Sequence, residues 1–354
     1  MAGSDPQQGI SRRQVLRLAS LAAGSAAISV GCGPGATGRL PASPPKNGSP
    51  AREAAVSRVV LIRSEDRVRG TRAAIEALRP AGLGDRRVFL KPNYNTGDPA
   101  PAATDTALLE ALVRELRNAG AAAITVGDRS GMADTRRAME AKGVFRLADR
   151  LGFEALVLDE LGREDWQRVA AEGTHWPRGF AFARPALEAG AVVNTCCLKT
   201  HRFGGHVTLS LKNTVGLVAK TLPGESHNYM GDLHSSPHQR LMIAEINQAY
   251  APALVLLDGV EAFVSGGPEA GRKVRPGVIL AGTDRVAVDV VAIALLRSLG
   301  TTAEVERGSI WEQEQIRRAV ELGLGAATAE QIEIVTADRA SQALADDLRR
   351  IIAA

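Results

Sequence analysis

The chain has 354 residues, enough for one large or two modest domains, and its 45% hydrophobic and 23% charged content is that of an ordinary globular protein rather than a disordered or fibrous one. The net charge of +4 is small for this length and the basic residues are interspersed with acids, so the sequence carries no nucleic-acid-binding footprint. Three cysteines without a Cys-x-x-Cys pair supply neither a disulfide framework nor ligands for an iron–sulfur cluster or zinc ribbon, so no iron–sulfur cluster is expected.

The first feature along the chain is "SRRQVLRLASLAAGSAAISVGC" (11–32). Ser11-Arg12-Arg13, then Val15-Leu16 and a mildly apolar run, read as a twin-arginine export signal over 1–32. Such a signal is an address that delivers a folded protein to the twin-arginine translocase, and the apolar run is too short for a comfortable membrane span. Cys32 follows Ser29-Val30-Gly31, a candidate lipoprotein box with Ser where Leu is usual, so lipidation at Cys32 stays open. Residues 33–56, rich in Gly, Pro and Ser, read as a tether. The expected location is periplasmic or otherwise extracytoplasmic, with membrane contact only through the signal or a lipid anchor.

From 57 to 336 short apolar runs alternate with amphipathic stretches. Strands are expected at 58–63, 86–93, 121–128, 153–160, 189–199, 252–259, 276–282 and 330–335. Helices are expected at 70–82, stopped by Pro80, and at 104–120, capped by Thr104 or Asp105 and ended by Gly120. Further helices are expected at 284–300 and 309–325, and a C-terminal one within 337–354. Buried strands alternating with helices predict an α/β fold, a mainly parallel sheet layered with helices, with two lobes and the site between them as one arrangement. Residues 200–239 break the rhythm: they are polar and rich in Gly and His, although 200–213 keep some strand alternation. Within them 221–239, with His227, Tyr229 and His234, is a candidate lid.

In open α/β sheets ligands gather beyond the carboxyl ends of the strands. Those ends carry Lys91-Pro92-Asn93, Asp128-Arg129-Ser130-Gly131, Lys199-Thr200-His201, Asp258-Gly259 and Thr283-Asp284. Asp284 opens a helix, so capping is its simplest role; lysine is not a capping residue, so Lys91 and Lys199 call for another explanation. "SLKN" (210–213) repeats the logic of "LKPN" (90–93): an ammonium beside an amide suits a phosphate, a carboxylate or an enolate-like transition state. Five of the six histidines fall between 201 and 238. His201 and His206 are metal-ligand candidates, so a metal ion is a candidate cofactor, but their spacing of five is no metal signature. Anion binding by Lys91, Lys199, Lys212 and His201 is the stronger reading. Cys196 and Cys197, adjacent on a strand, read as small buried hydrophobes, with a thiol activated by Lys199 as the alternative.

"VFLKPNYN", "AAAITVGDRSG", "AVVNTCCLKTHRFGGHVTLSLKNTVGLV", "LVLLDGVEAFVSGGPEAG" and "LAGTDRVAVDVVAIALL" resemble the family defined by the domain of unknown function 362, over about 58–335. Many members carry ferredoxin-like cluster motifs beside this domain; this chain lacks the cysteines, so that property is not carried over. A looser likeness, in residue types and architecture, is to lactate-racemase-like proteins, which also place lysine and histidine at a cleft; such a likeness implies no reaction.

These residues together suggest an exported enzyme, an isomerase or hydrolase, for a small anionic carboxylate or phosphate. His201, His206, Lys199 and Asp128 are the catalytic candidates. Lys91, Asn93, Ser130, Lys212, Asn213 and Asp258 are the substrate-binding candidates. A non-catalytic binder of an anion or metal is the alternative, and a redox or cofactor-related partner of the kind the cluster-bearing relatives imply is a further one.

Overall fold

The computed structural model describes residues 56–354. The leader, Cys32 and nearly all of the tether lie outside the described residues. Twelve strands are formed: β1 (Ser57–Arg63), β2 (Arg87–Lys91), β3 (Ala123–Asp128), β4 (Glu154–Val157), β5 (Trp166–Val169), β6 (Phe180–Ala183), β7 (Ala191–His201), β8 (His206–Thr208), β9 (Leu254–Gly266), β10 (Gly271–Val274), β11 (Val278–Gly282) and β12 (Ile332–Thr336). Ten belong to one sheet of order β12-β1-β11-β9-β7-β2-β3-β4, with β8 added to β7 and β10 to β9; β5 and β6 pair apart. Along the eight-strand path β11 alone runs against the others. The fold is therefore α/β with a mainly parallel sheet, as the alternation of strand and helix predicts.

Neighbouring residues of a strand enter opposite cores, which is why the strands read as continuous apolar runs. Val59 and Leu61 join one core, Val60 and Ile62 the other. Helices Arg67–Leu78, Thr106–Asn118 and Val144–Leu151 cover one face; Arg285–Ser298, Glu314–Glu321 and Arg339–Ala353 cover the other. Asp66, Asp105 and Asp284 cap their helices by accepting backbone N–H groups. Among the described residues no helix is long and apolar enough to cross a membrane. The sheet is continuous, and its cleft opens at the carboxyl ends of central strands rather than between two separate lobes.

Two expectations change. The helix expected at 309–325 is broken: Ser309 and Glu312 form a reciprocal cap around a tight turn at Ile310–Glu312, and the α-helix spans Glu314–Glu321. Strand β9 does not stop at Gly259 but continues to Gly266. The acids Asp258 and Glu261 interrupt its apolar pattern and hide the continuation; both pair with Arg67, at 2.7 and 3.1 Å. Residues 200–239, where the rhythm breaks, hold the end of β7, β8, helices Ser210–Asn213 and Tyr229–Ser235, and a tight turn at Thr214–Leu217.

Helix Arg285–Ser298 is buried from Arg285 to Leu296, so its lone carboxylate needs partners. Asp289 finds them in the backbone N–H groups of Ser210 and Leu211, at 2.8 and 2.9 Å. This bond fixes the start of the short helix that carries Lys212 and Asn213. Asp289→Ala would leave both N–H groups buried and unpaired, at about 1–3 kcal/mol each. A loss of about 2–5 kcal/mol in urea-unfolding free energy is expected, with accompanying loss of any ligand binding that depends on Lys212.

Candidate functional site

The chain leaves β2 for β3 and β4 on one side, while β7 and β9 lie on the other side of β2. The gap beyond β2 and β7 is a topological switch point, where connections diverge and a crevice forms at the strand ends. Lys91 ends β2, Asp128 ends β3, and Lys199 and His201 occupy the end of β7.

Their side chains form one buried network. Lys91 Nζ lies 2.7 Å from Asp128 Oδ1 and donates to the Pro92 carbonyl at 2.6 Å. Asp128 also accepts the backbone N–H of Tyr94 and of Arg129, at 2.6 and 2.7 Å. Burial raises the Asp128 carboxyl and lowers the Lys91 ammonium, while each partner pulls the other back toward its charged form. Asn213 Oδ1 accepts from Asn93 Nδ2 at 2.9 Å and from Lys91 Nζ at 3.3 Å; its Nδ2 donates to Asn194 Oδ1 and the Thr195 carbonyl. Lys199 Nζ donates to Asn93 Oδ1 at 2.8 Å and to the Ala102 carbonyl. The two Lys–Asn pairs noted in the sequence thus meet through Asn93 and Asn213.

A cavity of about 90 Å³ opens above this network. At about 30 Å³ for a water molecule in the liquid, that suits a compact polar group. Lys91, Asn93, Asp128, His201, Lys212 and Asn213 line it, and Lys199 lies behind Asn93. Lys212 is buried, and among the described residues no carboxylate or hydrogen bond offsets the burial; Lys199 and Arg129 repel its charge, and its pKa falls to about 7. His201 Nδ1 is buried without a partner, and burial, with Lys212 and Lys199, keeps the ring neutral. Gly205 is why these two side chains can approach: a Cβ there would stand 2.7 Å from Lys212 Cε and 3.0 Å from His201 Nδ1.

Three expected site residues lie elsewhere. Asp258 sits within β9, held by Arg67, because the strand runs on past the expected end at Gly259 to Gly266. Ser130 is fully buried, donating from Oγ to the Tyr94 carbonyl and from its backbone N–H to Thr135 Oγ1. His206 stands opposite His201 in the β7–β8 register, but its positive φ of 62° turns the chain, and it lines neighbouring cavities instead. His201 and His206 share one of those, of about 340 Å³; among the described residues no group of three or more His, Cys, Asp or Glu side chains is placed to hold a metal ion. Cys196 and Cys197 are buried, and burial pushes the Cys197 thiol up to about 11 and that of Cys196 well above its usual range, so both behave as buried hydrophobes.

Arg129, Asn95, Thr208 and Met230 also line the cavity and were not singled out from the sequence. Arg129 is buried and donates to the carbonyls of Val215 and Val218 and to Met230 Sδ, so it ties the turn at 214–217 and the helix Tyr229–Ser235 over the cleft. Its adjacency to Asp128 at a strand end was the available signal; for Met230 there was none. Of the lid candidates His234 lines the cavity, whereas His227 lies 3.0 Å from Asp232 and stacks edge-on against Tyr229.

Two outcomes follow from burial. A Cβ at Gly216 would fall 2.4 Å from Asp128 Oδ1 and 2.7 Å from Lys91 Nζ, so Gly216→Ala must displace the ion pair or the turn. A loss of roughly 1–3 kcal/mol in urea unfolding is expected. Lys212 has a folded pKa of about 7, below its unfolded value near 10.4. The unfolded chain therefore holds more protons between those values, and wild-type stability rises with pH across that window. Lys212→Met should be the more stable protein at pH 6, by on the order of a few kcal/mol, with the advantage shrinking toward pH 10. Urea unfolding at pH 6 and pH 9 measures it.

A family model described as domain of unknown function (DUF362) matches residues 88–294, and the chain belongs to that family. A thylakoid-associated protein of Synechocystis sp. is 27% identical over 267 residues, 71% of this chain and 79% of that protein. Among solved structures, the lactate racemase apoprotein of Thermoanaerobacterium thermosaccharolyticum is similar at 16% identity and a TM-score of 0.43, over 64% of this chain and 54% of that one. The chain thus spans about half the length of that solved structure.

Proposed function

We propose that this DUF362 protein binds a small carboxylate or phosphate in the cleft at the β2–β7 switch point and moves a proton on it. One observation carries the reading. Four buried cations, Lys91, Arg129, Lys199 and Lys212, surround a cavity whose lining includes one carboxylate, Asp128, and that carboxylate is already paired with Lys91. Uncompensated buried charge is costly, and an anionic ligand offsets it. Lys212 is the anchor, because its ammonium faces the cavity without a competing acceptor. Asn95 and Thr208 supply orienting polar groups.

Proton transfer is supported by the pairing of two groups. An amine with a pKa near neutrality and a neutral imidazole with a free ring nitrogen share one cavity. The amine suits acid–base exchange at pH 7, and the imidazole, held neutral by burial, offers an acceptor nitrogen beside it. Lys91, Asp128 and Lys199 hold the frame rather than touch the reacting atoms. Isomerisation through loss of a proton next to a carboxylate is the simplest chemistry for such a set. The sequence of 11–32 further supports our reading that the site works outside the cytoplasm, and Arg12→Lys/Arg13→Lys should retain the protein in the cytosolic fraction.

Binding is tested by calorimetry with acetate, malonate and inorganic phosphate. A carboxylate ligand keeps constant charge above pH 6, so the pH profile reports the protein. For acetate, affinity should be highest near pH 6 and fall, up to tenfold per pH unit, as pH rises past the Lys212 pKa of about 7. Lys212→Met should bind about 10- to 100-fold more weakly at pH 6 and lose this profile. Equal binding by wild type and variant would sink the assignment. Deuterium exchange into a bound carboxylate in D2O, lost in His201→Ala, separates a proton-moving enzyme from a pure binder.

A further inference from the structure

We infer that the anion taken by this cleft carries an apolar tail, which lies across a rim made by Phe203 and Met132; the inference rests on the anion-binding reading above. Large hydrophobic side chains are exposed at four of the described positions, Val56, Val68, Met132 and Phe203. Single exposed apolar residues are ordinary. Two of these four, however, line the cationic cavity, reaching it from different strand ends. Phe203 comes from the β7–β8 turn and Met132 from the loop after β3.

Phe203 is exposed yet held. Its ring stands edge-on to His201, with centroids 5.7 Å apart, and the Arg202 guanidinium covers it at 4.3 Å. Arg202 is in turn fixed by the Gly267 carbonyl at 2.8 Å and by Glu269. An apolar surface held in place before binding needs little further ordering. Met132 follows Gly131, whose N–H donates to Asn95 Oδ1 at 2.9 Å. Its unbranched thioether can adapt to the shape that it meets. Val215, Met230 and Pro268 also line the cavity, so apolar surface runs from the rim down to the cations.

The size of the cavity gives the tail its direction. About 90 Å³ takes a carboxylate or phosphate group and few further atoms, so the rest of a larger ligand must pass the rim. A sugar phosphate or a dicarboxylate would keep its outer groups in water and gain nothing from Phe203 and Met132. A carboxylate or phosphate with an alkyl or aryl substituent matches both ends of the cleft.

The test is calorimetry on the full chain at pH 6.5 with two ligand series: acetate, butyrate, hexanoate and octanoate, and methyl, butyl and octyl phosphate. A fully buried methylene is worth about fourfold in affinity, so a half-covered one on an open rim should give about twofold. We expect that rise in at least one series. The Phe203→Ser/Met132→Ser variant, with both changes at exposed positions, should flatten it, and Val68→Ser, remote from the cleft, should keep it. If no member of either series binds wild type, the anion-binding reading itself fails. If short anions bind and affinity does not grow with length, the rim assignment fails while the anion site stands. A length dependence that survives in the double variant also overturns it, because the tail then lies elsewhere.

Discussion

The cost of burying ammonium groups governs this site. Lys91, Lys199 and Lys212 are nearly inaccessible, and an isolated charge of that kind is tolerated only with partners or with a lowered pKa. Each lysine is handled differently. Lys91 has a carboxylate, Lys199 has two oxygen acceptors, and Lys212 has neither and titrates near neutrality. Asn213 makes the arrangement coherent, because one amide accepts from Lys91 and Asn93 and donates to Asn194 and Thr195. Lys212, His201 Nδ1 and Thr208 Oγ1 lack protein partners among the described residues, and all three line the cavity in which we propose that the ligand sits.

The sheet places these groups and the helices hold them. Because β2 and β7 are neighbours whose chains depart in opposite directions, their ends leave a crevice that the loops do not fill. The roof comes from residues far away in sequence. Asp289, on a helix buried in the opposite core, fixes the backbone at 210–211, and Arg129 fastens the turn at 214–217 and Met230. Gly216 then lets that roof lie directly against the ion pair. The cleft is thus rigid at its base and lined by more adaptable side chains at its mouth.

Particular residues show how far a sequence can be read. The strand ends at Lys91, Asp128 and Lys199 were legible because apolar runs stop abruptly there, and the capping role of Asp284 followed from its place before a helix. Asp258 was misplaced because the same rule takes any acid after an apolar run as a strand end. It could not show that Arg67, 191 residues away, neutralises that acid and lets β9 continue. His201 and His206, close in sequence, are partners across β7 and β8 and share one cavity, but only His201 also lines the cavity with the lysines.

The sequence by itself determined the α/β class, the mainly parallel sheet, and a concentration of lysine, asparagine and histidine at strand ends. These depend on local pattern: apolar runs, capping residues and the spacing between them. The tertiary structure alone decided which of those residues meet. Strand order put β7 beside β2 and so joined Lys199 to Asn93 and Asn213 to Lys91. It also decided which lysine is left unpaired, and that Phe203 and Met132 share one rim. The physical reason is that pairing and desolvation depend on neighbours in space, brought together by contacts between segments up to a hundred or more residues apart.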